Sequence, residues 1–101
     1  FAAIAVINDP SDARIAGALA ANLLVRTRAD SGCVEAEAGD TTRRDAALAS
    51  GAHFVSTDFP EQVDPFDYEV RIPNGTPSRC NPVTAPAECT SEDIEDPAFI
   101  P

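Results

Sequence analysis

The sequence predicts an α/β fold organised on a parallel sheet, and three observations carry that reading. Arg43 to Pro60, RRDAALASGAHFVSTDFP, reads as a helix, a single stopping glycine, a buried strand and an abrupt polar tip. Helix returning to strand in this way is the second half of a βαβ unit. Two earlier apolar runs, Ala2 to Asn8 and Leu23 to Arg28, also end in polar residues and are also followed by helix signals. The three polar tips fall where parallel sheets place ligand contacts, at the carboxyl ends of the strands.

The first strand spans Ala2 to Asn8. Its apolar run is too short for a membrane span, which needs about 20 residues, and it lacks the basic flank and cleavage site of a signal peptide. Asp9 then has the chemistry of an N-cap, with Pro10 at the first helical position and Asp12 in the first turn. That helix is expected to reach Ala21, with Ile15, Ala18, Leu19 and Asn22 on one thin, alanine-rich face. The second strand, Leu23 to Arg28, is apolar at its start and polar at its end. A loop is expected from Ser31 to Gly39, with Gly32 and Gly39 as breakers. A second helix begins near Asp40 or Thr41 and stops at Gly51. Arg43 and Arg44 fall in its first turn, where the helix dipole disfavours cations. They read as surface ion-pair partners, with Asp40 and Asp45 compensating. The third strand runs from His53 to Thr57. His53, the single histidine, lies at the amino end of that strand, away from the polar tips, and reads as a structural or surface residue.

Beyond Phe59 the texture changes, and eight of the nine prolines fall between Pro60 and Pro101. Tyr68, Val70 and Ile72 alternate as in one short strand, and Asn74-Gly75 is a turn signal. Asn74-Gly75-Thr76 is formally a glycosylation sequon, but Pro77 directly after it favours a plain turn. The expected organisation is residues 1–59 as β/α units, 60–89 as a proline-rich irregular extension, and 90–101 as an acidic, flexible tail. Parallel strands are normally covered on both faces. Three strands with two helices leave an open edge and half a core, so the chain is expected to be the C-terminal part of a larger α/β protein.

Charge narrows the partners. The net charge is −10 and all seven basic residues are arginine. Nucleic acid is disfavoured as a partner because phosphate backbones want a basic surface, and unaided binding to an anionic membrane is disfavoured for the same reason. Cys80 and Cys89 bracket a proline-broken octapeptide. In an oxidising compartment they would close a disulfide loop, and in a reducing one they would remain thiols. Cys33 is the odd third cysteine, either free or paired outside this sequence. No second cysteine pair or nearby histidine completes a zinc site, and there is no glycine-rich phosphate loop.

Parallel strands lie about 4.8 Å apart, so the three tips can converge at one mouth: Asn8 and Asp9, then Arg28 and Asp30, then Ser56, Thr57 and Asp58. Arginine forks a phosphate and carboxylates accept from sugar hydroxyls. This set therefore suits an anionic, polyhydroxylated ligand. The structural alternative is that these residues pair with one another and cap the helices. No histidine stands at a tip, and no Ser-His or Cys-His pair supplies the general acid and base of phosphodiester cleavage. No catalytic residue and no metal ligand is assigned.

NDP at Asn8 to Pro10, LVRTRAD at Leu24 to Asp30, RRDAALASGAHFVSTDFP, EVRIPNG at Glu69 to Gly75 and RCNPVTAPAEC at Arg79 to Cys89 together resemble the C-terminal part of a family. It is the bacterial and fungal calcium-dependent, phosphatidylinositol-specific phospholipase C-like phosphodiesterases. The resemblance covers about residues 1–89. It implies a TIM barrel, of which this chain would be the last three β/α units plus an extension, and a secreted location that supports a Cys80–Cys89 bridge. It also implies hydrolysis of a phosphoinositide by attack of the inositol 2-hydroxyl, with a histidine pair and calcium (Ca2+) on early strands outside this sequence. Arg28, Asp30, Thr57 and Asp58 are the substrate-binding candidates, as contacts to inositol or to the groups that touch it. The chain by itself is expected to be inactive. Alternatives are a glycerophosphodiester phosphodiesterase-like hydrolase, against which the RCNP…C ending argues, and a non-catalytic scaffold derived from the barrel.

Overall fold

The structure, a computed structural model, describes residues 3–73 and 78–90. The expected Asn74-Gly75 turn, the sequon and the tail beyond Thr90 lie outside the described residues. The element order is β1 (Ile4–Val6), α1 (Arg14–Ala20), β2 (Leu24–Arg28), α2 (Val34–Ala38), α3 (Thr42–Ala49) and β3 (Phe54–Ser56). The strands form one parallel sheet in the order β1-β2-β3. Ile4 lies opposite Leu24 and Val6 opposite Arg26, while Arg26 also faces Phe54 and Arg28 faces Ser56. The small α/β domain with a three-stranded parallel sheet is the architecture read from the strand-and-helix alternation.

The two faces of the sheet differ. Val25 and Thr27 of β2 are fully buried on the helix-covered face. The Thr27 hydroxyl finds no hydrogen-bond partner there. On the opposite face Ile4, Val6, Leu24 and Phe54 remain exposed. Because register partners share a face, that surface can be read row by row. Ile4 and Leu24 come first, then Val6, Arg26 and Phe54, and Arg28 and Ser56 stand nearest the strand tips. The face grades from apolar at the amino ends to polar at the carboxyl ends.

Several elements depart from the sequence expectation. Asp9 does not cap a helix. Its Oδ1 accepts the Ser11 amide at 2.9 Å, and Asp12 Oδ1 accepts the Arg14 amide at 2.9 Å. Two successive side-chain turns thus replace the first helical turn, and α1 begins only at Arg14. Aspartates compete with helix by bonding the backbone two residues on. The segment read as a loop contains α2. Glu35 Oε2 reaches back to the Ser31 amide at 2.8 Å, and Gly39 closes the helix at φ 63° while the Asp40 amide returns to the Glu35 carbonyl. The short strand expected at Tyr68, Val70 and Ile72 is absent among the described residues. The Val70 amide makes one strand-like bond to the Phe59 carbonyl at 2.8 Å, but Tyr68 is turned into the core. Its ring meets Phe59 edge-on at 5.5 Å, and Phe66 also meets Phe59 edge-on at 5.8 Å. With Ala36 of α2 these rings form the core that folds the extension back over the end of β2.

The Cys80–Cys89 disulfide is present, and Cys33 is exposed and unpaired. The residues flanking Cys80 fasten the extension to the end of α3. Arg79 donates to the Leu48 carbonyl and Asn81 Nδ2 donates to the Gly51 carbonyl at 2.6 Å. Gly51 has φ 86°, and a β-carbon on it would lie 2.8 Å from Val83. This position therefore needs glycine for its conformation and for the close approach of the disulfide loop. No helix among the described residues is long and apolar enough to cross a membrane.

Candidate functional site

The carboxyl ends of the strands are drawn together by two arginines. Arg43 of α3 donates from Nη2 to the Asn8 carbonyl at 2.7 Å and from Nε to the Arg28 carbonyl at 3.2 Å. One guanidinium thus ties the ends of β1 and β2. The expected ion-pair role holds for Arg44, which bonds Asp45 at 3.0 Å and also donates to the Glu69 carbonyl at 3.2 Å. It does not describe Arg43. Asp40 works locally instead: its Oδ1 accepts the Thr42 amide, and that bond holds its carboxyl below the ordinary carboxylate range.

All four candidate residues meet at this end. Arg28 Nη2 pairs with Asp58 Oδ2 at 3.2 Å and its Nε donates to the Asp30 carbonyl at 3.0 Å. The Arg28 side chain is 28% exposed and that of Asp58 57%. Asp30 is at the centre and is fully buried. Its Oδ1 accepts the Asp58 amide at 3.1 Å, and its Oδ2 accepts the Thr57 hydroxyl in a short bond and the Tyr68 hydroxyl at 3.4 Å. Thr57 Oγ1 in turn accepts the Phe59 amide at 3.0 Å. Asp30 and Thr57 therefore spend their hydrogen-bonding capacity inside the chain, while Arg28 and Asp58 form the solvent-facing rim. The tyrosine that covers Asp30 was not legible as part of this cluster. Burial first, then the charge of Asp30, pushes its hydroxyl up to about 12. It therefore stays protonated and donates.

Next to this rim, Arg26 donates from Nε to Ser56 Oγ at 2.8 Å on the open face of the sheet. His53 stands at the other end of β3. Its Nδ1 accepts the Val25 amide at 3.1 Å and its own amide donates to the Val25 carbonyl at 2.8 Å, in agreement with a structural role. A cleft of about 810 Å³ opens along β3, with His53, Phe54, Ser56 and Thr57 on one wall and Val70, Arg71 and Arg79 on the other. Among the described residues no three histidine, cysteine or acidic side chains are grouped to hold a metal ion. Asp30, the best placed carboxylate, already has both oxygens engaged. These residues do not fit a calcium centre.

A three-stranded parallel sheet with an arginine and carboxylate rim at its strand tips defines a small protein of the α/β class. The family model described as "Phosphoinositide phospholipase C, Ca2+-dependent" matches residues 1–82, and the chain belongs to that family. Comparisons with curated proteins and with solved structures gave no match. Family membership carries phospholipase C-like hydrolysis of phosphoinositides, and dependence on calcium, at the level of the family.

Proposed function

We propose that this chain is the C-terminal arc of a secreted, calcium-dependent phosphoinositide phospholipase C, contributing the last three β/α units of a TIM barrel and part of its substrate rim. The observation that carries the proposal is the graded open face of the sheet. Parallel sheets bury both faces, and in a barrel the inner face is packed with apolar side chains below and polar groups at the carboxyl end. Ile4, Leu24, Val6 and Phe54 giving way to Arg26, Arg28 and Ser56 follow that order. The cleft along the outer edge of β3 leaves room for a further strand. The disulfide suits an oxidising compartment.

In this reading Arg28 and Asp58 contact the inositol phosphate headgroup, and Asp30 and Thr57 hold them in place. The acid, the base and the calcium ligands belong to strands upstream of Phe1. Two proteins test this: the 101-residue chain and a version extended upstream through the early strands. Calcium-dependent release of inositol phosphate from phosphatidylinositol vesicles is expected from the extended protein alone. Release by the 101-residue chain, or none by the extended protein, would overturn the proposal.

A further inference from the structure

We propose that Arg26, steadied by Ser56, is a second phosphate contact on the open face of the sheet, and this deepens the phosphodiesterase reading above. Each of the other six arginines has a partner that accounts for it. Arg14, Arg28, Arg44 and Arg71 pair with Asp12, Asp58, Asp45 and Glu69. Arg43 and Arg79 donate to backbone carbonyls. Arg26 alone among the described residues has neither a carboxylate nor a carbonyl. Its one partner is the neutral Ser56 hydroxyl, which takes Nε and leaves the outer edge of the fork free. An uncompensated cation is notable in a chain of net charge −10.

Its surroundings make the cation effective. Val6 and Phe54 flank Arg26 across the sheet, and both are exposed and apolar. They lower the local dielectric, which strengthens attraction to an anion. Arg28 is on the same face two residues nearer the tips, about 6.6 Å away along the strand. The two guanidiniums differ in what they can accept. Arg28 is already neutralised by Asp58, whereas Arg26 has room for two oxygens of one phosphate in a forked contact. A phosphate over Arg26 would leave hydroxyls of the same ligand within reach of Asp58.

The two possible sources of that phosphate are the scissile phosphodiester and a phosphomonoester on the ring. Soluble probes separate them: glycerophosphoinositol for the diester, myo-inositol 1-phosphate for the monoester, and myo-inositol as the uncharged control. The full chain, labelled with 15N, is titrated while the arginine Nε–H resonances are followed, the Arg26 signal being assigned by its loss in Arg26→Gln. Both phosphates are expected to move that signal and myo-inositol to leave it in place, the tighter of the two naming the source. Arg26→Gln is expected to weaken phosphate binding about tenfold, and Arg26→Lys to recover most of the loss. Arg26 is exposed, so the backbone amide spectrum of each variant should superimpose on that of the parent. An Arg26 signal unmoved by either phosphate, or moved equally by myo-inositol, overturns the inference. A responding Arg26 in a protein whose extended form releases no inositol phosphate would end the phosphodiesterase reading and leave the anion contact standing. Hydrolysis by the extended protein with a silent Arg26 would do the reverse.

Discussion

Replacing Asp30 tests whether the strand-tip cluster is held from within. The carboxylate is fully buried and receives the Asp58 amide, the Thr57 hydroxyl and the Tyr68 hydroxyl. Hydrogen bonds to a charged group are worth roughly 1.5–3 kcal/mol each, against 0.5–1.5 for neutral ones. Asp30→Asn keeps the shape and one acceptor, and the two hydroxyls can rotate to accept from the new amide. It should cost about 2 kcal/mol, the difference between charged and neutral bonds. Asp30→Ala leaves the Asp58 amide and the Thr57 and Tyr68 hydroxyls without that acceptor and should cost roughly 3–5 kcal/mol. Asp58→Asn removes only the rim partner of Arg28. Its side chain is 57% exposed, and a surface pair of this kind contributes under about 1 kcal/mol. Urea unfolding followed by circular dichroism at neutral pH gives all three values. The graded asparagine variant keeps the comparison measurable if the alanine variant is mostly unfolded. A cost below about 1 kcal/mol for Asp30→Ala would refute the reasoning, because a carboxylate so lightly used by the fold would be available to a ligand.

Three other outcomes follow from the same contacts. Gly51→Ala should lose about 2–4 kcal/mol, combining a side chain at φ 86° with a β-carbon 2.8 Å from Val83; Val83→Ala in that background relieves only the Cγ2 contact and leaves Val83 Cβ at 2.8 Å and Leu19 Cδ1 at 2.9 Å, so a double-mutant cycle should read a partial recovery. Reducing the disulfide, or replacing Cys80 and Cys89 by serine, frees a loop of sequence separation 9 and should cost about 2.7 kcal/mol on the chain-entropy estimate; an unchanged urea midpoint under reductant would contradict it. The single tyrosine permits a clean titration, and absorbance at 295 nm should place its ionisation near pH 12 in the folded chain and near 10 in urea. Because the fold favours the protonated hydroxyl, Tyr68 contributes its full stability below pH 10 and loses it as pH rises towards 12. The loss is roughly 2–3 kcal/mol at about 1.36 kcal/mol per unit, and a folded midpoint near 10 would show that the ring is not buried against Asp30.

The sheet and its polar tips were legible because a buried parallel strand announces itself as a short apolar run that stops at polar residues. Ala2 to Asn8, Leu23 to Arg28 and His53 to Thr57 each contain the observed strand, trimmed by no more than two residues at either end. The second predicted helix was legible too, since Asp40 and Gly51 bracket it chemically. α2 was not: five residues between two glycines are too few for a helical period to appear. The alternation of Tyr68, Val70 and Ile72 misled because period two describes any extended chain packing one side inward, and here the partner is an aromatic core rather than a strand. The Arg28–Asp58 contact could be anticipated from two neighbouring strand ends carrying opposite charge. Arg43 could not, since its acceptors are peptide carbonyls, which leave no mark on the identity of the residues that own them.

Arg43, Arg44 and Arg79 all moor one segment to the peptide groups of another. These moorings are open to competition from guanidinium itself as a solute, which offers the same fork to the same oxygens. Guanidinium chloride should accordingly unravel this chain more readily, relative to urea, than the buried surface alone would dictate.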